Sequence, residues 1–167
     1  MKSYRKIIIV GSPGSGKSYF AKVLSKLTRI PVYHLDMINW KPNWQPTPRE
    51  ELRKTLNEIM DNDEWIIDGN YSGTMEDRFK RAEVVCFLDL PAEVCLESER
   101  KRRGKKRDDL PNYLEEKDDP DFEEYIMNFQ DTGKIRILSM IEKHPNIPVI
   151  TFKTRDEVNA YLNNIDL

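Results

Sequence analysis

The chain has 167 residues, 38% of them hydrophobic and 34% charged, with a formal net charge of −2. That is the size of one domain and too little for two comfortable cores. No apolar run approaches the eighteen or so residues a membrane span needs, and residues 1–6 lead straight into the first strand, so neither a membrane anchor nor an export leader is expected and the location read from the sequence is cytoplasmic. The near-balanced charge gives no whole-surface attraction to nucleic acid. Cys86 and Cys95 lack ligand spacing, which argues against a disulfide framework or a zinc site.

In chain order, Lys6–Val10 is a β-branched run ending in a glycine cluster, the pattern of a buried parallel strand. Phe20, Ala21, Val23, Leu24 and Leu27 recur at helical spacing over 17–27. Residues 31–35 form a second short strand, and 40–48 a loop with three prolines. Thr47 or Pro48 then opens a helix to about Met60. Trp65-Ile66-Ile67 is a third strand stopped by Asp68-Gly69-Asn70, and 83–88 a fourth, with Pro91 placed to begin the next helix. Residues 104–120 are charged and broken by Gly104, Pro111 and Pro120, as in a mobile flap. One long amphipathic helix is expected over 122–142 despite Gly133, then a fifth strand over 148–152 and a terminal helix over 157–163. Strands alternating with helices predict one α/β domain over 1–167 with a doubly covered parallel sheet.

Gly11-Ser12-Pro13-Gly14-Ser15-Gly16-Lys17-Ser18 matches G-x-x-x-x-G-K-[ST] between the first strand and the first helix. Glycines let successive N–H groups curl inward toward phosphate oxygens, and the helix N-terminus adds partial positive charge. Lys17 then reaches the β- and γ-phosphates while the Ser18 hydroxyl takes magnesium. Tyr19 follows on the nucleotide side. Asp68, ending the third strand, reads either as a magnesium-side carboxylate or as an Asp-Gly turn residue. His34-Leu35-Asp36 ends the second strand on the same sheet edge, where ligands of open parallel sheets collect. Asp36 is the candidate for binding and deprotonating an acceptor hydroxyl, and His34 reads more readily as structural. Trp40 and Trp44 either line an acceptor pocket or simply pack.

The run Arg100-Lys101-Arg102-Arg103-Gly104-Lys105-Lys106-Arg107 has three readings: a nucleic-acid patch, a flap whose arginines close over a triphosphate, or a solvated helix end. Acidic residues follow at once, among them Asp108, Asp109, Glu115 and Glu116, and weaken attraction to a polyanion. Arg78 follows Asp68-Gly69-Asn70-Tyr71 and is placed to reach a substrate phosphate or nothing. Lys153 and Thr154, after the fifth strand, flank an adenine or form only a turn.

These segments, with Trp65 to Thr74, Phe87-Leu88-Asp89, Lys101-Arg102-Arg103 and Phe122 to Phe129, resemble the bacterial DNA topology modulation (FlaR-related) proteins, over nearly the whole chain. That family in turn resembles adenylate kinase-like and shikimate kinase-like P-loop kinases. The resemblance implies a P-loop NTPase fold: three α/β/α layers, a five-stranded parallel sheet of order 2-3-1-4-5 and a short lid near 100–120. It also implies ATP and Mg²⁺, with Ser18 and Asp68 toward the metal. Lid arginines map to Arg100, Arg103 and Arg107, with Arg100 toward the nucleotide and the other two catalytic beside Lys17 and Asp36. Asp36, Trp40, Asn70 and Arg78 are the acceptor-side candidates. Asp68-Gly69-Asn70-Tyr71 lacks the Pro-Arg that nucleoside monophosphate kinases carry there, which leaves a nucleotide acceptor in question. The expected activity is transfer of the ATP γ-phosphoryl group to a small-molecule or nucleotide acceptor. The alternative is a nucleotide-dependent regulator of DNA topology, touching DNA through residues 100–107.

Overall fold

The computed structural model describes residues 3–114 and 116–165, so Glu115 lies outside it. Five parallel strands form one sheet: β1 (Lys6–Gly11), β2 (Val32–His34), β3 (Trp65–Asp68), β4 (Val84–Leu88) and β5 (Val149–Phe152). They lie in the order β2-β3-β1-β4-β5, as the resemblance implies. One departure is a two-stranded antiparallel hairpin, Trp40–Lys41 with Gln45–Pro46, inside the proline-rich segment read as loop.

Side chains alternate along β1 and divide the interior into two cores. Ile7 and Ile9 pack on one face with Phe20 and Leu24 of α1 (Lys17–Thr28), Cys95 of α5 (Ala92–Arg102), Ile126 of α6 (Pro120–Met127) and Val158 of α8 (Arg155–Asn163). Ile8 and Val10 face Leu35 of α2 (Leu35–Asn39), Leu56 of α3 (Arg49–Met60), Phe79 of α4 (Ser72–Arg81) and Ile137 of α7 (Gly133–Lys143). A strand buried on both faces carries no polar position, which is why 7–10 reads as a continuous apolar run. Cys86 and Cys95 are free, buried thiols, and burial pushes Cys86 up to about 12.

The single helix expected over 122–142 is two helices. The Asp119 carboxylate caps α6 by accepting from the N–H groups of Asp121 and Phe122. A 3₁₀ turn (Phe129–Asp131) follows, and Gly133 opens α7. A Cβ at Gly133 would sit 2.2 Å from the Phe129 ring, so the break lets the second helix fold back over a buried aromatic. Gly133→Ala is therefore expected to cost about 1–3 kcal/mol through overpacking, lowering the thermal midpoint by roughly 2–12 °C. An unchanged midpoint would mean that the ring moves aside freely. Helix α4 escaped the sequence reading altogether.

Candidate functional site

All five strands run the same way, so their carboxyl ends share one edge, and a cleft of about 640 Å³ opens there. The loop from Gly11 to Ser18 forms its floor. Gly14 and Gly16 hold left-handed backbone (φ 79° and 93°) in tight quarters. A Cβ on Gly14 would lie 2.0 Å from the Cys95 carbonyl oxygen, and one on Gly16 would lie 2.5 Å from Arg155 Nη1. Lys17 Nζ donates to the Ser12 carbonyl at 2.9 Å. Burial pushes the Lys17 ammonium below its ordinary value, against the pull of Asp68 and Asp36. A triphosphate would add further negative charge to that of the two carboxylates and offset the cost of burial.

Parallel register sets His34 of β2 beside Asp68 of β3. The imidazole Nδ1–H donates to one Asp68 oxygen, and the Ser18 hydroxyl donates to the other at 3.3 Å. Burial opposes a charge on His34, but the hydrogen bond and charge of Asp68, with Asp109 and Asp108, raise it above its ordinary value. His34 thus orients the carboxylate nearest Ser18, a role that adjacency in sequence does not show.

Asp36, on the short helix α2, accepts at Oδ1 from Trp40 Nε1 (3.3 Å) and from the Tyr71 hydroxyl. Burial, then the Asp36 charge, pushes the Tyr71 phenol up. Asn70 is engaged with the loop, its Oδ1 accepting from Gly11 N–H (3.1 Å) and its amide donating to the Gly11 carbonyl (2.7 Å). Asp36, Trp40, Asp68 and Asn70 line the cleft together with Lys17, Ser18 and the exposed Tyr19.

A family model described as an AAA domain matches residues 7–123, well over half of the chain. The chain belongs to this AAA-domain family of P-loop NTPases. Among solved structures, the shikimate kinase from Acinetobacter baumannii in complex with shikimate is similar at a TM-score of 0.63 and 16% identity, covering 98% of this chain and 97% of that one. The shikimate kinase from Bacteroides thetaiotaomicron is similar at 0.53 and 17%, covering 96% of each. At such identity the likeness shows the fold, which is shikimate kinase-like. No curated protein sequence matches.

In this AAA-domain chain the arginines fall differently from the sequence expectation. Arg78 does not reach the cleft. It is fully buried and donates to the carbonyls of Gly69 (2.8 Å), Asn70 and Tyr71 (3.2 Å). Burial pushes its guanidinium down to about 10. Arg100 pairs with Glu123 at 2.7 Å, and Arg103 with Glu99, Asp118 and Glu123 at 2.6–2.9 Å. Neither lines the cleft, whereas Arg107 does, together with Arg102, read only as part of the basic run, and Arg155, which was not singled out. Arg155 opens α8 and donates to the Ser15 carbonyl at 2.7 Å and the Gly14 carbonyl at 3.0 Å, bracing the loop. The signal for it was its place directly after Lys153-Thr154 at the end of the fifth strand.

Residues 104–118 contain no helix or strand among the described residues, and side chains hold them over the loop. Arg107 spans Asp109 (2.9 and 2.5 Å) and Glu116 (2.7 Å), while Lys22 pairs with Asp108. Burial works against the Asp109 charge, yet Arg107 and the Ser18 hydroxyl bring its carboxyl down to about 2. A depressed carboxyl stabilises the fold fully above its ordinary value near 4 and loses that contribution as pH falls through about 2. The difference in unfolding free energy between the wild type and Asp109→Asn should therefore be constant above about pH 4 and shrink toward pH 2. Denaturant unfolding across that range tests this, and a pH-independent difference would refute it.

Proposed function

We propose that the chain is an ATP-dependent kinase that transfers the γ-phosphoryl group to a hydroxyl of a small molecule. The observation that carries this reading is one cleft holding Lys17, Ser18 and Asp68 at its floor and the Asp36 carboxylate at its side. Phosphoryl transfer asks mainly for positioning and charge neutralisation, which these groups supply. The acceptor oxygen bonds to the γ-phosphorus as the bond to the β–γ bridging oxygen breaks, ADP departs, and the hydroxyl proton passes to Asp36. Lys17 neutralises the transferring group, and Arg107 is the lid cation placed to join it. Arg102 and Arg155 take the part that the resemblance gives to Arg100 and Arg103.

The hard oxygens of Ser18 and Asp68 fit magnesium, which binds one or two protein groups and otherwise phosphate and water. No cluster of three acidic, histidine or cysteine ligands exists among the described residues, which accords with a metal carried in by the nucleotide. When bound, it would supply charge neutralisation at the phosphates.

A nucleotide-dependent regulator that binds DNA through residues 100–107 has less support. Arg100, Lys101, Arg102, Arg103 and Arg107 are each within 4.0 Å of a carboxylate, so the run is no open cationic stripe.

Calorimetric titration with a non-hydrolysable ATP analogue and magnesium tests the kinase reading. Binding is expected in the wild type and absent in Lys17→Ala. No binding to the wild type would overturn the reading.

A further inference from the structure

The lid brings its own carboxylates to the cations that face the cleft. Asp109 grips Arg107 with both oxygens (2.9 and 2.5 Å), and Glu116 takes the same guanidinium at 2.7 Å. Glu116 also stands 3.9 Å from Arg102 at the end of α5. Two contacts tie this cluster to the floor: Lys22 of α1 pairs with Asp108, and the Ser18 hydroxyl reaches Asp109 as well as Asp68. Asp108, Asp109 and Glu116 line the same cleft as Lys17 and Ser18. The side chains of Arg107, Asp109 and Glu116 are at most 14% exposed, so their ion pairs are shielded from water. Lys22 and Asp108 are 42% and 70% exposed, and their pair is correspondingly weaker.

A phosphate chain seated on residues 11–18 asks for the same groups. Its outer oxygens call on Arg107, and its metal calls on the Ser18 hydroxyl. Asp109 holds both, and its charge repels a triphosphate besides. The two arrangements therefore compete, and nucleotide affinity is reduced by the fraction of molecules in which the carboxylates keep their partners.

Resting on the kinase reading above, we infer that Asp108 and Asp109 form a latch that clasps the lid to the phosphate loop, and that a nucleoside triphosphate opens it by exchange. Arg107 leaves Asp109 for the terminal phosphate, and the freed carboxylate swings away from Ser18. No covalent bond changes. Once the γ-phosphoryl group has gone, a diphosphate offers Arg107 one phosphate fewer, and the carboxylates reclaim it. The latch thus favours entry of the triphosphate and departure of the diphosphate at the same site.

Two variants of the full chain test this, Asp109→Asn and Lys22→Gln. The first readout needs no nucleotide: the initial rate of trypsin cleavage after Arg107, followed by mass spectrometry. That side chain must leave its partners to enter the protease, so the rate tracks the open population. Cleavage after the exposed Lys54 of α3 controls for general loss of stability. Relative to that control, cleavage after Arg107 is expected to rise about tenfold in Asp109→Asn. In Lys22→Gln the rise is about threefold, the worth of an exposed pair. The second readout is calorimetric affinity for the magnesium-bound ATP analogue, expected to tighten by the same factors. Lys22→Gln separates a latch from simple charge, because it removes a positive charge and yet is expected to strengthen binding of an anion. Unchanged cleavage after Arg107 in both variants overturns the inference. So does faster cleavage without tighter binding in Asp109→Asn, or tighter binding there with weaker binding in Lys22→Gln. If the wild type does not bind the analogue, the kinase reading falls, and the cleavage rates still decide whether the lid is latched.

Discussion

Replacing Asp36 by asparagine is expected to slow phosphoryl transfer about 10²–10⁴-fold, the usual worth of a positioned general base. Nucleotide affinity should stay close to wild type, because the asparagine keeps the shape and an acceptor oxygen for Trp40 Nε1 and the Tyr71 hydroxyl. Those two donors crowd Oδ1 and leave Oδ2 for the substrate. The measurement is kcat and KM for the acceptor, with calorimetry for the nucleotide. A wild-type rate would remove Asp36 from the chemistry. Joint loss of rate and nucleotide binding would instead make it a structural support of the hairpin and the Tyr71 turn.

The second large effect is on stability. Arg78→Leu is expected to lower the unfolding free energy by about 3–5 kcal/mol, at the lower end of about 1–3 kcal/mol for each of the three carbonyls left without a donor. The thermal midpoint would fall by roughly 6–20 °C in a chain of this size. The guanidinium feeds three successive carbonyls, Gly69 to Tyr71, and a leucine leaves them buried without donors. Tyr71 holds left-handed backbone at φ 32°, so the turn depends on this support. Arg78→Lys should recover only part of the loss, because an ammonium lacks the planar fork that serves several carbonyls at once. An unchanged midpoint together with lost phosphoryl transfer would return Arg78 to the substrate-binding role its sequence position suggested.

Arg78 also marks the limit of sequence reading here. Its spacing after Asp68-Gly69 says that it is near the site, yet nothing in that spacing says whether it points into the cleft or into the core. Burial against Asp68, Tyr71 and Asp77 is a property of the packed helix α4, whose short, polar sequence gave no periodic signal. The helix break at Gly133 was hidden for a related reason, since the apolar spacing runs on through both helices and the Phe129 ring for which Gly133 leaves room is a packing partner.

The amino-acid sequence by itself determined the phosphate loop, the strand end that carries Asp68, and the sheet. Each depends on local backbone chemistry or on strand periodicity, and both are written within a few residues. Asp36, expected at the end of the second strand, sits instead in the first turn of the short helix α2 that follows His34. Tertiary structure alone decided which side chains meet. His34 reaches Asp68 through parallel register across 34 residues, and Arg155 reaches the Gly14 and Ser15 carbonyls across 140 or more. In the lid, Arg107 found Asp109 and Glu116 while Arg100 and Arg103 turned to Glu123. A run of like charges has many acidic partners within reach, and only the folded chain chooses among them, because pairing energies depend on burial and geometry that composition does not contain.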